Sequence, residues 1–140
     1  MTDQASRAVE RRKAAHALRI LVADDERDTV ETLKAVLEDE GHNVFGVYSG
    51  KEVPSAVQLF RPDVIILDIA VPGFSGYALA QMVRVSFTDL RRPLLIAISG
   101  MWKEFADRRL AEQVGFDYYL VKPCVPAELL ALLPTRGQPG

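Results

Sequence analysis

Five short apolar segments, separated by stretches with helical periodicity, constrain the fold of this chain more than any other feature. The segments are "LRILVA", "NVFGVY", "DVIILD", "PLLIAIS" and "FDYYLVK". The third and fourth are apolar without alternation, which is typical of strands covered on both faces of a parallel sheet. Between and after them, apolar residues three and four positions apart predict five helices. This alternation predicts an α/β domain.

Right-handed crossovers between parallel strands leave few arrangements for such a sheet. The favoured one is a flavodoxin-like, doubly wound sheet of five parallel strands in the order 2-1-3-4-5, with helices on both faces. The second predicted helix covers "GKEVPSAVQLFRP", the fourth covers "WKEFADRRLAEQVG" and the short fifth one covers "PAELLALL". We assign the domain to residues 17–134, with a flexible N-terminal extension at 1–16 and a flexible tail at 135–140.

Composition excludes several functional classes. The net charge of −2 over 140 residues gives no general attraction to nucleic acids or anionic membranes. No apolar run approaches the ~20 residues that span a bilayer, and the N-terminus lacks the apolar centre of a signal peptide. The single cysteine, Cys124, cannot form an internal disulfide. We therefore expect a soluble, cytoplasmic protein without membrane contact.

Polar side chains stand where four of the predicted strands end. The first strand ends at Asp24 and Asp25, the third at Asp68, the fourth at Ser99 and the fifth at Lys122. Because ligands of open α/β sheets bind beyond the carboxyl ends of the strands, these groups are expected to converge on one edge. Each residue alone fits a turn or a helix cap. Their joint arrangement favours a functional site.

Three carboxylates facing one lysine leave a net negative charge, which favours a divalent cation. Oxygen ligands suit Mg²⁺ or Mn²⁺ better than Zn²⁺, and Mg²⁺ commonly joins one or two carboxylates to a phosphate oxygen. An aspartate can attack phosphorus to give an aspartyl phosphate. The metal and Lys122 would neutralise charge on the transferring group, and Ser99 could donate a hydrogen bond to it. The sequence thus points to phosphoryl chemistry.

In their order and spacing, "VADDE", "VIILDIAVPGFSGYAL", "IAISG" and "DYYLVKP" closely resemble the receiver domain of two-component response regulators. The resemblance covers nearly the whole folded part of the chain. It implies that Asp68 is the phosphoacceptor and that Lys122 holds the phosphoryl oxygen. It also implies Mg²⁺ binding by Asp25, by Asp68 and by the backbone carbonyl of Ala70, with Asp24 acting through water.

The resemblance further implies a switch and a signalling role. Ser99 would be the switch hydroxyl that moves to the phosphoryl group, and Tyr119 the aromatic that rotates into the vacated space. The face formed by the fourth helix, fifth strand and fifth helix would then change its conformation, and a downstream protein would recognise the change by binding to this face.

The implied function is phosphorelay signal transduction by a stand-alone, chemotaxis-regulator-like receiver. A histidine kinase or a phosphotransfer protein would donate the phosphoryl group to Asp68. The protein would assist its own phosphorylation and dephosphorylation without being an enzyme. Because the sequence shows no second domain beside the receiver, we expect no DNA-binding domain. A homodimer is possible.

Two other functions stay open at this stage. A phosphatase of the haloacid-dehalogenase type would also use an aspartyl nucleophile, but Ala70 stands where such enzymes need a second acid. A flavodoxin-like FMN carrier would need a hydroxyl- and glycine-rich phosphate loop after the first strand. The "ADDERD" found there would repel the phosphate instead. Both hypotheses are weaker than the receiver domain.

Overall fold

The helices and strands that the structure describes follow the predicted alternation. A computed structural model describes residues 17–69, 76–86, 92–100 and 115–134. Outside them lie the extension (1–16), the tail (135–140), Ala70 and nearly all of the predicted fourth helix. The described elements are β1 (Arg19–Ala23), α1 (Arg27–Asp39), β2 (Asn43–Val47), a 3₁₀ turn (Gly50–Glu52), α2 (Val53–Phe60), β3 (Val64–Asp68), α3 (Gly76–Ser86), β4 (Leu94–Ser99), β5 (Tyr118–Val121) and α4 (Pro126–Leu132).

The sheet has the predicted topology. Its five strands are parallel and stand in the order β2-β1-β3-β4-β5, which confirms the flavodoxin-like arrangement. All five residues of the central strand β3 are buried, as its unbroken apolar sequence predicts. In the register of the sheet, Asp68 lies opposite Ile98, and Ser99 lies opposite Val121. The strand ends therefore meet at one edge.

Alternate residues of each strand feed two separate cores, one on each face of the sheet. Residues of α2 and α3 cover one face, together with side chains such as Leu21, Ile65 and Leu95. Residues of α1 and α4 cover the other face, with Val22 and Ile66 among the strand residues. Within the described part of the chain, no helix is both long and apolar enough to cross a membrane.

The ends of the helices carry the predicted stop and start signals. Gly41 follows α1 with a φ of 95°, in the left-handed region that favours glycine, and its N–H donates to the carbonyl of Glu38 at 2.9 Å. Pro54 stands in the first turn of α2, where its missing N–H costs nothing. The sequence suggested one helix from Gly50 onward. The structure instead places a 3₁₀ turn before α2.

Arg84 ties the end of α3 to the starts of β4 and β5. Its guanidinium donates to the carbonyls of Gly115 (2.9 Å from Nε) and Pro93 (3.1 Å), and it pairs with Asp117 at 2.9 Å. Asp117 also accepts a hydrogen bond from the N–H of Leu95 at 2.8 Å. Gly115 has a φ of +109°, and a Cβ there would lie 2.5 Å from Arg84 Nε. Glycine is therefore required beside this arginine.

His42 stands near the opposite edge of the sheet from the aspartates. The N–H of Leu18 donates to His42 Nδ1 at 3.0 Å, and the N–H of Asn43 donates to the carbonyl of Leu18 at 2.8 Å. Partial burial lowers the pKa of His42 below its ordinary value of 6.5, although the charge of Glu40 opposes the shift. An imidazole that accepts at Nδ1 carries its proton on Nε2 and is neutral.

We expect Arg84→Ala to lower the free energy of unfolding by about 2 kcal/mol, because the carboxylate of Asp117 and two carbonyls lose their donor. Arg84→Lys keeps the charge but lacks the planar fork that serves all three acceptors. We therefore expect the lysine to recover only a minor part of the loss. Urea unfolding followed by circular dichroism measures both variants. A loss below about 0.5 kcal/mol for the alanine variant, as at an ordinary surface position, contradicts this account.

His42 should make stability depend on pH. Because its pKa is lower in the folded than in the unfolded chain, the stability it contributes is complete above about pH 6.5 and is lost as the pH falls through the folded-state value. His42→Asn keeps an acceptor for Leu18 but does not titrate. Thermal melts at about pH 7.5 and about pH 5.5 should show the parent losing stability relative to this variant as acid is added. If the parent and His42→Asn lose the same stability in acid, His42 is not the source of the pH dependence.

Candidate functional site

The ammonium group of Lys122 stands among three carboxylates at the carboxyl edge of the sheet. Its Nζ lies 2.6 Å from Asp24 Oδ2, 2.9 Å from Glu26 Oε1 and 3.0 Å from Asp68 Oδ2. It donates hydrogen bonds to Glu26 and Asp68. Asp24 Oδ2 is buried and lies outside hydrogen-bond geometry despite the short distance. The contact with Asp24 is thus an ion pair without an aligned hydrogen bond.

The backbone at the strand ends fixes these side chains. Asp24 follows β1, and its N–H donates to the carbonyl of Val47 at 3.2 Å. Its Oδ1 accepts from the N–H of Glu26 at 2.9 Å, which turns the chain into α1. Lys122 follows β5, and its N–H donates to the carbonyl of Ser99 at 2.8 Å. The peptide bond between Lys122 and Pro123 is cis. Asp24 therefore has both the structural role of a turn residue and a place in the site.

Burial separates the two neighbouring aspartates. Asp24 has 0% of its surface exposed, whereas Asp25 is exposed. Burial raises the pKa of Asp24 from its ordinary 3.8 to about 6, and the charge of Asp68 adds to the rise, against the lowering effect of Lys122 and of the Glu26 N–H. Asp68 is only 5% exposed. The site thus holds acidic groups that are poorly hydrated.

The carboxylates hold Lys122 firmly in its charged form. Burial by itself would lower the pKa of Lys122, but its close contacts with the carboxylates of Asp24, Glu26 and Asp68 outweigh that effect and raise the pKa above its ordinary value. The side chain of Lys122 is 12% exposed. A permanent positive charge therefore stands beside Asp68 at neutral pH.

The acidic side chains also fit a divalent cation. Asp24, Asp25 and Asp68 each offer a carboxylate oxygen, and the three atoms lie within 4.8 Å of one another. Oxygen donors without nitrogen or sulfur match the preference of Mg²⁺ and Mn²⁺. Asp24 Oδ2, which is buried and has no aligned hydrogen bond, offers an oxygen suited to a cation or to its bound water. The donor set therefore suits the predicted cofactor.

Of the remaining predicted site residues, the structure describes Ser99 and Tyr119 but not Ala70. Ser99 is 2% exposed at the end of β4, and Tyr119 is partly buried against the core on the α2 and α3 face. Both lie on strands that end at the site. Ala70, whose carbonyl is a predicted metal ligand, lies outside the described residues. The roles of all these residues stay predictions.

Glu26 is the site residue that the sequence did not reveal. Its carboxylate contacts Lys122, which is 96 positions away in the chain. The sequence contains one indication of this role, because Glu26 directly follows the Asp24-Asp25 pair. An acidic residue at that position is equally typical of the start of a helix. Glu26 and Lys122 further line a groove of about 420 Å³ together with Thr29, Leu33 and Cys124. Burial raises the pKa of the Cys124 thiol, so the thiol in this groove stays protonated at neutral pH.

We expect Asp24→Asn to stabilise the protein at neutral pH in the absence of divalent cations. The change removes a buried negative charge from a cluster with more carboxylates than ammonium groups. Because the pKa of Asp24 is raised from 3.8 to about 6, the cost of its charge is complete above about pH 6 and decreases as the pH falls from there toward 3.8. A gain of about 1 kcal/mol would raise the melting temperature by roughly 3 °C. Melts at about pH 7 and about pH 5 should show the gain shrinking in acid.

Lys122→Met is the opposing control for the same experiment. It removes the positive charge and leaves the carboxylates facing one another, so we expect it to destabilise the chain at neutral pH. Added Mg²⁺ should restore part of the loss. If Asp24→Asn melts lower than the parent at neutral pH, excess negative charge is not what limits the stability of the site.

Known proteins are similar to this chain in sequence and in fold. The sequence pattern of the response regulator receiver domain matches residues 20–134. Over 114 residues the chain is 37% identical to an uncharacterized 14.6 kDa protein of Leptolyngbya boryana, a match that covers 81% of this chain and 86% of that protein.

Longer regulators match over the same region. The chain is 33% identical over 113 residues to the regulatory protein VanR of Enterococcus faecium, covering 81% of this chain and 47% of VanR. It is 32% identical over 118 residues to the DNA-binding response regulator MtrA of Mycobacterium tuberculosis, covering 84% of this chain and 50% of MtrA. The chain thus spans about half the length of these two relatives.

Solved structures agree with the family match. The chemotaxis response regulator CheY4 of Vibrio cholerae superposes with a TM-score of 0.72 at 25% identity, over 82% of this chain and 94% of that one. A signal receiver domain from Bermanella marisrubri gives a TM-score of 0.71 at 27% identity, over 81% of this chain and 92% of that one. On the sequence match and the shared sheet topology, the chain belongs to the response regulator receiver domain family, and its role is in two-component signalling.

Proposed function

We propose that the chain accepts a phosphoryl group on Asp68, with Mg²⁺ bound beside it, and thereby switches a protein-interaction face. The observation that carries this proposal is the position of Lys122, whose Nζ lies 3.0 Å from Asp68 Oδ2 and 2.6 Å from Asp24 Oδ2. A fixed cation next to a largely buried carboxylate suits a nucleophile that must bear a phosphoryl group.

The chemical step is a transfer between two covalent bonds. A carboxylate oxygen of Asp68 forms a bond to phosphorus while the bond from phosphorus to the donor nitrogen breaks, and its electron pair stays on that nitrogen. The donor is proposed to be a phosphohistidine on a histidine kinase or a phosphotransfer protein. Lys122 already points its ammonium at Asp68 and would neutralise charge on the phosphoryl oxygens as they arrive.

A divalent cation fits beside the acceptor. Asp25 and Asp68 are proposed as direct ligands, with Asp24 acting through water and the backbone carbonyl of Ala70 completing the set on the strength of the family resemblance. When bound, Mg²⁺ would supply further positive charge for the transferring group. The burial of Asp24 and its unaligned Oδ2 support a role for that carboxylate in holding the cation.

The switch is proposed to run from Ser99 to Tyr119. Ser99 is buried at the end of β4, beside the strand that carries Tyr119. A phosphoryl group on Asp68 would draw the hydroxyl of Ser99 toward it, and Tyr119 would follow into the space. The response is a shift between two conformations, limited by how differently the phosphoryl group interacts with each.

The partner surface is proposed to include β5. Tyr118 and Val121 of that strand and the nearby Val125 are large apolar side chains that are each at least 41% exposed. A downstream protein could bury them when the switch changes their surroundings. Cytoplasmic location, the division of the chain into an extension, a receiver and a tail, and a non-enzymatic role belong to the same proposal.

The phosphatase and flavin-carrier alternatives are less well supported. Family membership favours a receiver over both. The acidic residues directly after β1, Asp24, Asp25 and Glu26, would repel the phosphate of FMN. A phosphatase would need a second acid at the position of Ala70, which the sequence does not supply.

Incubation with Mg²⁺ and a small phosphodonor, followed by intact-mass measurement, tests the proposal. We expect an adduct of one phosphoryl group on the parent and none on Asp68→Asn. Asp28→Asn is the matched control, since Asp28 is an acidic residue in the first turn of α1 and should leave the adduct unchanged. An adduct that persists in Asp68→Asn, or repeated turnover of donor without any adduct, would refute the assignment of Asp68.

A further inference from the structure

We infer that Glu26 is a positioning residue for Lys122, a carboxylate outside the cation site that takes over the ammonium group when a divalent cation enters. The inference rests on the proposed function, because it concerns how the acidic site of that function accepts its cation. Glu26 is part of the motif "VADDE", but the resemblance gives it no role.

The contacts of Lys122 divide into two kinds. Asp24 and Asp68 are buried and belong to the set of carboxylates that fits a cation. The side chain of Glu26 is 64% exposed, and Glu26 does not belong to that set. Glu26 nevertheless makes a 2.9 Å hydrogen bond to Nζ, as close as the 3.0 Å bond to Asp68. The ammonium thus has one partner that a bound cation would not claim.

Electrostatics gives this partner a function. A divalent cation among Asp24, Asp25 and Asp68 would repel the ammonium group, which now lies within 3.0 Å of Asp24 and Asp68. The ammonium can leave Asp24 at small cost if another carboxylate already holds it. Glu26 faces solvent, so the displaced charge would also be partly hydrated there. Without Glu26, Lys122 would compete with the cation for the buried carboxylates.

The local backbone holds Glu26 in the required place. Its N–H donates to Asp24 Oδ1 at 2.9 Å, and its carbonyl accepts the N–H of Val30 at 3.2 Å in the first turn of α1. Asp24 and Glu26, two of the three carboxylates around Lys122, are therefore linked through one tight turn. Asp28, two residues further on, is exposed and forms none of the ion pairs of Lys122 among the described residues.

The test is calorimetric titration of Mg²⁺ into the unphosphorylated protein, so that its readout is binding and not phosphoryl transfer. We expect Glu26→Gln to weaken Mg²⁺ binding about fivefold, the scale of a favourable ion pair with one exposed partner. Glu26→Asp keeps the charge but shortens the reach by one methylene, and it should resemble Glu26→Gln. Asp28→Asn removes the same unit of charge from the same turn and should weaken binding less than about twofold.

A double-mutant cycle with Lys122→Met isolates the contact. If Glu26 acts through the ammonium, Glu26→Gln should have no larger effect than Asp28→Asn once Lys122 is absent. The inference is overturned if Glu26→Gln and Asp28→Asn weaken binding equally in the parent, if Glu26→Asp binds like the parent, or if the effect of Glu26→Gln survives unchanged in Lys122→Met.

These results are separable from those that test the proposed function. Parent protein that binds Mg²⁺ and is phosphorylated on Asp68, but whose affinity is indifferent to Glu26, would overturn this inference alone. Parent protein that shows no Mg²⁺ binding at all would overturn both. Circular dichroism of each variant at the titration temperature confirms that a change in affinity does not come from unfolding.

Discussion

One ammonium group that faces more carboxylates than it can neutralise is the interaction on which the site depends. Lys122 lies within 3.0 Å of oxygens of Asp24, Glu26 and Asp68. The burial of Asp24 and Asp68 removes much of the screening that water would give to the excess charge. The excess negative charge is therefore expected to destabilise the cation-free protein and to favour the binding of a cation. Such a compromise between stability and function is common at functional sites.

The parallel sheet produces this cluster. The carboxyl ends of all five parallel strands lie on one edge. Cores on both faces hold the strands in register, so that packing sets the positions of Asp24, Asp68 and Ser99. Arg84 adds a tether that fixes where β4 and β5 begin. Lys122 and Glu26 stand just outside the strands on flexible side chains. The acceptor is thus rigidly placed, while the charges around it can rearrange as a cation and then a phosphoryl group arrive.

The sequence predicts the strands, their order and the edge where they end, because unbroken apolar runs such as "VIIL" leave little choice of packing. It predicts the convergence of Asp68 and Lys122 for the same reason. It does not predict the contact of Glu26 with Lys122, which depends on how two side chains meet across the edge of the folded sheet. Nor does it predict which of two adjacent aspartates is buried, since that depends on the path of the turn after β1. The 3₁₀ turn before α2 was missed because its residues also fit a longer helix.

Mn²⁺-induced broadening in the amide NMR spectrum of the unphosphorylated protein tests whether the strand ends form a cation site. The chain offers a rival acidic surface at Glu38, Asp39 and Glu40. If the strand ends bind the cation, substoichiometric Mn²⁺ will first broaden the amides of Asp24, Asp25 and Ile69, and excess Mg²⁺ will reverse the effect. Broadening that begins at the rival surface, or that spreads evenly over the chain, would contradict it.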